Sequence, residues 1–212
     1  WEILDAWQDA AEEMGIPRIK EFNTGDNFGC AYFQMNQRKG VRWSASKAFL
    51  RPIQHRPNLT VMTNTHVQKL ALEANEHGPR ATGVWITKGG DAPSLVTATR
   101  EVILAAGAVA SPQILQLSGI GEPALMQQLG AAPVIDLPGV GHNLQDHLQI
   151  RTIYKVSNTT TLNPRVNSLV GKAMMGLEYL LFKTGPLTMP PSQLGAFAKS
   201  DEAQPTPNME WH

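Results

Sequence analysis

Apolar residues recur at helical spacing from the start of the chain. Ile3, Leu4, Trp7, Ala10, Ala11 and Met14 share one face, and Gly15 with Pro17 stops the pattern where a C-terminal cap belongs, so the first element is predicted to be a helix. Ala31, Phe33 and Met35 then alternate with Gln34 and Asn36, which predicts a short strand ending at the Lys39-Gly40 turn. Ser44 is expected to cap a short helix through Phe49, with Pro52 ending it. From Leu59 the pattern changes. Val61, Val67, Leu70, Leu72, Val84, Ile86 and Val96 lie in short runs separated by Glu76-His77-Gly78-Pro79 and Gly89-Gly90, the signature of an antiparallel meander.

Val102-Ile103-Leu104-Ala105-Ala106 is a nearly unbroken apolar run, which predicts a strand covered on both faces. Ser111 and Pro112 then supply a cap and a first-turn proline for a helix carrying Ile114, Leu115 and Ser118 to Gly119. A second short helix over 124–129 is closed by Gly130, and Pro133 to Ile135 lead into the glycine-rich loop Leu137-Pro138-Gly139-Val140-Gly141. Leu148, Ile150, Thr152, Tyr154 and Val156 alternate as one face of a half-solvated strand. Leu169, Val170, Ala173, Met174, Leu177, Leu180 and Leu181 form one long amphipathic helix ended by Gly185-Pro186. Residues 207–212 read as a strand that has just begun, and the chain reads as a piece of a longer protein. The fold class expected is α+β.

At 212 residues, the chain has room for one large domain or two small ones. Hydrophobic residues make up 42% and charged residues only 17%, which excludes a self-repelling disordered chain. Eighteen basic and eighteen acidic side chains cancel, removing the electrostatic footprint of a nucleic-acid partner. The single cysteine, Cys30, forbids an intrachain disulfide or a cysteine-based metal cluster, and with no secretory leader visible a reducing, cytoplasmic setting is expected. The sequons at Asn58 and Asn158 then read as chance matches. The longest apolar region, Leu169 to Phe182, is broken by Lys172 and Glu178, so no membrane insertion is expected.

Candidate chemistry is sparse. Gly119-Ile120-Gly121-Glu122-Pro123-Ala124 has the Gly-x-Gly-x-x-Ala form of a dinucleotide loop, but it follows a helical segment where that motif requires a strand, so a helix-helix turn is expected. Gly139-Val140-Gly141 lacks the last glycine, having Leu144 there. His142, Asp146 and His147 are of metal-ligand type, yet five residues separate the two imidazoles within a loop, and a hydrogen-bonded loop is the simpler expectation. His55, His66 and His77 are expected on the surface, and Met174 and Met175 at core positions. No Gly-x-Ser-x-Gly elbow, Walker loop or Cys-x-x-Cys pair occurs. What stands out is Gly107-Ala108 at the end of the apolar run: ligands of α/β sheets bind there, and glycine lets them approach the backbone.

The stretch Gly107-Ala108-x-x-Ser111-Pro112-x-Ile114-Leu115-x-x-Ser118-Gly119-Ile120-Gly121 resembles the second signature of the glucose-methanol-choline (GMC) family of FAD-dependent oxidoreductases. Arg42-Trp43-Ser44 to Leu50-Arg51-Pro52, Arg56-Pro57-Asn58-Leu59, and 137–141 with Asn143-Leu144-Gln145-Asp146-His147 resemble family segments in family order. The resemblance covers essentially the whole chain and is closest to the choline and alcohol dehydrogenase branch. It implies parts of a substrate-binding domain at 1–57 and 147–212, built on an antiparallel sheet. It implies part of an FAD-binding domain at 58–146, with the meander and the covered strand. Val67 would meet the adenine through its backbone and Gly107 would lie against the adenosine half of FAD, with Ala106 and Asn143 as neighbouring cofactor contacts.

The family's N-terminal Gly-x-Gly-x-x-Gly fingerprint and its catalytic histidine have no counterpart among these residues, and neither His142 nor His147 matches the catalytic position. The implied activity is oxidation of a small alcohol, choline-like or another primary alcohol, by hydride transfer to flavin, with the reacting side chains in the remaining parts of the same enzyme. Two other readings stand beside it: a non-catalytic binding or scaffold module with the same fold, and a metal-dependent hydrolase using His142, Asp146 and His147.

Overall fold

The computed structural model describes residues 1–212. The first part of the chain holds α1 (Glu2–Glu13), β1 (Gly29–Tyr32), β2 (Gln37–Arg38) and β3 (Val41–Arg42). The meander follows as β4 (Thr65–Asn75), β5 (Gly78–Lys88) and β6 (Ser94–Thr97). Then come α2 (Gly107–Leu117), β7 (Ile120–Gly121), α3 (Pro123–Gln128) and β8 (Ile135–Asp136). The chain ends with α4 (Asn163–Val166), α5 (Leu169–Phe182), β9 (Leu194–Ala198) and β10 (Met209–Trp211). It divides into two compact units, Trp1–Leu59 with Thr152–His212, and Thr60–Arg151.

In the first unit, β9 is the centre of a three-stranded antiparallel sheet, flanked by β1 and β10. Small residues decide its packing. Gly195 and Ala196 are buried, and the Phe33 ring occupies the space a side chain on Gly195 would need. Phe22 packs against both Phe33 and Phe197, with ring centroids 5.4 and 4.9 Å apart. On α1, Ala11 faces Cys30, Leu194 and Ala196, joined by Leu4 and Ile16; the helix lies where residues 3–14 predict it, but its buried residues are Gln8 and Ala11, while Trp7, Ala10 and Met14 of the predicted apolar face are exposed. Cys30 is fully buried in that cluster. The β2–β3 hairpin turns through Lys39 and Gly40, both at positive φ (51° and 71°), as a two-residue turn matched to strand twist requires.

Several expectations for this unit are corrected. The alternating stretch Ala31–Met35 is a strand only as far as Tyr32. Pro52 does not end a helix: a wide turn at Ser46–Leu50 runs directly into a tighter turn at Arg51–Ile53, where proline's missing N–H costs nothing because first-turn amides have no partner inside the helix. On α5, capped by Ser168 Oγ accepting from the Gly171 N–H (3.2 Å), only Met175 is buried, and Met174 is 60% exposed. The strand β9 was not predicted at all.

The second unit is built on the β4–β5 hairpin, which joins Asn75 to Gly78 and continues antiparallel to β6, as the meander pattern predicts. The core is Leu70, Ile114 and Ile120, ringed by Val67, Leu72, Val84, Val102, Leu104, Leu115, Ile135 and Val140. Three further expectations change here. Residues 101–106 pair with no strand of this chain. Val102 and Leu104 pack on the core while Ile103 between them is 80% exposed, so one face of the run is covered and not two. The helix begins at Gly107, four residues before the predicted cap, and Pro112 lies inside it. Ser111 does not cap it: from inside the helix its Oγ accepts from the Ala106 N–H (3.1 Å). Finally, residues 148–156 form no strand. Leu148 and Ile153 are each 93% exposed, because no neighbouring strand in this chain offers a hydrogen-bonding edge.

Candidate cofactor site

Three of the four cofactor residues expected from the sequence, Val67, Ala106 and Gly107, lie on elements that meet at α2. In β4, Val67 pairs with Ile86, and a register shift follows immediately between Val67 and Lys69. Such a bulge bends the strand and re-aims the residues beside it. Strand β4 packs against α2, and Val67 touches the same apolar cluster as Val102 and Leu104, the residues that lead the chain to Ala106 and Gly107. One small core thus brings Val67, Ala106 and Gly107 to the same unit. Asn143 stands apart from that core, in the exposed loop after Gly141, at positive φ (57°) and accepting a hydrogen bond from Gln145 Nε2 (3.0 Å).

Gly107 is the informative position. Its φ is +86°, which only glycine adopts without strain, and the space where a side chain would begin has no heavy atom within 4 Å. A glycine is therefore needed for the backbone path, and the room beside it is open to a ligand. Gly15, Gly25, Gly78 and Gly130 share the positive φ and the empty surroundings, so these features leave room for the adenosine half of a dinucleotide without selecting it. The pyrophosphate half is another matter, because its glycine fingerprint must link a strand to a helix. Gly119 follows α2, and the two-residue strand β7 sits inside the motif before α3 begins at Pro123. The turn between α2 and α3 is the role those glycines serve.

The motif itself is explained by packing. Ser118, buried, donates to the Ile114 carbonyl (2.6 Å) and accepts from the Leu70 N–H (2.8 Å), fastening the end of α2 to β4. Gly119, at φ +81°, lies so close to the Ala132 carbonyl and the Val134 side chain that any side chain would collide. β7 then pairs in parallel with β8, Ile120 against Ile135, and the Leu137 N–H reaches the Gly121 carbonyl (3.1 Å). This positions the glycine-rich loop beside α2. Sequence reasoning missed Gln116, whose Nε2 donates to the Val140 carbonyl (3.2 Å) across that gap. Its role depends on Gly141, twenty-five positions away, which no local pattern reveals.

His142 faces Glu122 at 3.8 Å, with both side chains about half exposed, and the Asp146 carboxylate accepts from the neighbouring His147 N–H (2.9 Å). No three His, Cys, Asp or Glu side chains converge to form a metal-binding cluster. A separate open cleft of about 610 Å³ lies along the meander, lined by residues including Lys69, Trp85, Leu117, Leu129 and Val134. None of the four predicted cofactor residues lines it. No helix is long and apolar enough to cross a membrane.

Comparison with known proteins places this architecture. The sequence profile of the GMC oxidoreductases matches residues 2–149, and the chain belongs to that family, whose cofactor is FAD. It is 38% identical over 210 residues to an oxygen-dependent choline dehydrogenase from Photobacterium profundum, covering 99% of this chain and 36% of that protein. It is 38% identical to an alcohol dehydrogenase [acceptor] from Pseudomonas putida, over 99% of this chain and 38% of that protein. The chain therefore spans little more than a third of the length of these relatives. Among solved structures, an FAD-dependent oxidoreductase from Chaetomium thermophilum superposes with a TM-score of 0.79 at 29% identity, over 91% of this chain and 34% of that one. The mixed helix-and-sheet fold expected from the pattern is thus the fold of a flavin oxidoreductase.

Proposed function

We propose that this chain is the central portion of a cytoplasmic FAD-dependent dehydrogenase that oxidises a small alcohol, choline-like or another primary alcohol, to an aldehyde. The observation that carries this reading is the similarity to choline and alcohol dehydrogenases along the chain's whole length. FAD, when bound, supplies the hydride acceptor. Residues 58–146 contribute part of its binding domain. The Val67 backbone meets the adenine, Gly107 leaves room for the adenosine half, and Ala106 and Asn143 add contacts. Residues 1–57 and 147–212 contribute part of the substrate-binding domain. The side chains that accept the alcohol proton lie in the rest of the enzyme.

On this reading, residues 1–212 alone turn over no alcohol and hold FAD feebly, because tight dinucleotide binding leans on a pyrophosphate site at a helix N-terminus. Alcohol oxidation and flavin retention, measured side by side on the 212-residue chain and on the full-length protein, test both statements. Turnover by the short chain would overturn the placement of the catalytic groups. A full-length protein that purifies without flavin and oxidises no alcohol would overturn the reading itself.

A further inference from the structure

We propose that Gln116 is a positioning residue for the cofactor loop: its amide holds residues 137–141 against α2 and so sets the course on which the chain presents Asn143. The inference rests on the flavin reading above for its consequence, but its geometry stands alone. The side chain leaves α2 between two glycines. A side-chain carbon on Gly141 would stand 2.6 Å from Gln116 Nε2, and one on Gly121 would stand 3.4 Å from its Cγ. The Gly141 position must therefore be bare for the amide to reach the Val140 carbonyl (3.2 Å), whereas a side chain on Gly121 would meet Gln116 at ordinary contact distance. Gly141 is also at φ +85°, so its backbone path and its missing side chain serve the same arrangement.

The tether sits where the loop changes character. Up to His142 the loop is held by its own backbone: Val140 N–H to the Leu137 carbonyl (3.0 Å) and His142 N–H to the Gly139 carbonyl (3.2 Å). From Gly141 to Asn158 every residue is exposed. Beside Val140, whose side chain packs on the core, the half-buried amide of Gln116 and the His142–Glu122 contact are the polar side-chain links at this departure point, and the first is the shorter. An amide donor to a carbonyl contributes only modestly, yet here it sits at the last held point before a segment that is exposed throughout.

The test uses the full-length flavoprotein with Gln116→Met, which keeps length and volume but removes the donor, and Gly141→Ala, which pushes the amide away. Gln116→Ala is made alone and combined with Gly141→Ala, a double variant in which the added methyl finds the space vacated. Hydrogen exchange over 138–146 reads the tether, and flavin affinity with the shape of the flavin absorption band reads its consequence. The single variants are expected to raise exchange in that segment and to weaken flavin retention about two- to tenfold, while the double variant costs less than the sum of its parts. Unchanged exchange in Gln116→Met would overturn the proposal. So would raised exchange with flavin affinity and spectrum as in the parent. Raised exchange in a protein that binds no flavin in any form would leave the tether standing and overturn the flavin reading instead.

Discussion

The β4–β5 hairpin and the stretch from Leu148 to Val156 are made of similar residues, alternately apolar and polar, yet they stand in opposite states. In the hairpin, Leu70 and Ile86 are 8% and 6% exposed, every residue from Leu72 to Asn75 has a partner across the ladder, and α2 covers one face. In the stretch, Leu148, Ile150, Ile153 and Tyr154 are 79–93% exposed and no ladder forms. The hairpin closes on itself through four consecutive residues at its turn, so its partner costs little chain entropy to find. Residues 148–156 have no such partner in reach, and alternation alone supplies no hydrogen bonds. Alternation states which face a strand would bury; only a neighbouring edge makes it one.

The widest measurable contrast is in hydrogen exchange on the 212-residue chain. Amides of β5 paired with β4 should exchange at least about a thousandfold more slowly than those of 148–156, which should behave as unprotected chain. Slow exchange in 148–156 would show a partner for that segment and break the comparison. Next, Ile86→Ala, which empties a buried site, should destabilise the second unit by about 2–5 kcal/mol in urea unfolding. Ser118→Ala strips the buried Leu70 N–H of its acceptor and should cost about 1–3 kcal/mol, separating the contribution of α2 from that of the ladder itself. The smallest effect belongs to Ile153→Ala, expected within about 0.5 kcal/mol of the parent because the side chain is already in water. A loss above 1 kcal/mol there would place Ile153 in a core.

How much could be read in advance follows the same logic. Helices α1 and α5 and the meander were legible because their spacing and turns are local: Gly15, Gly185-Pro186 and Gly78 punctuate them within a few residues. β9 was not, since Gly195, Ala196 and Ala198 are too small to register as a hydrophobic run, although their smallness is what lets α1 and Phe33 approach. The start of α2 was misplaced because Ser111-Pro112 imitates a first turn. The serine instead reaches back five residues, and the proline sits where the Ala108 carbonyl is left to solvent. In the candidate site, Val67, Ala106 and Gly107 came from a family resemblance, and the open space at Gly107 is shared with turn glycines such as Gly15 and Gly78. Gln116 was not legible, because its meaning lies in Gly141, twenty-five positions along the chain.

Cys30 gives this molecule an internal stopwatch. It is the sole sulfhydryl, lies wholly inside the α1–β1–β9 cluster, and burial pushes its ionisation upward despite the Gln8 hydrogen bond and the Arg18 charge that oppose this. An alkylating reagent can therefore label it only when that unit opens, and the rate of mass increase times the breathing of one half of the chain while the other half stays silent.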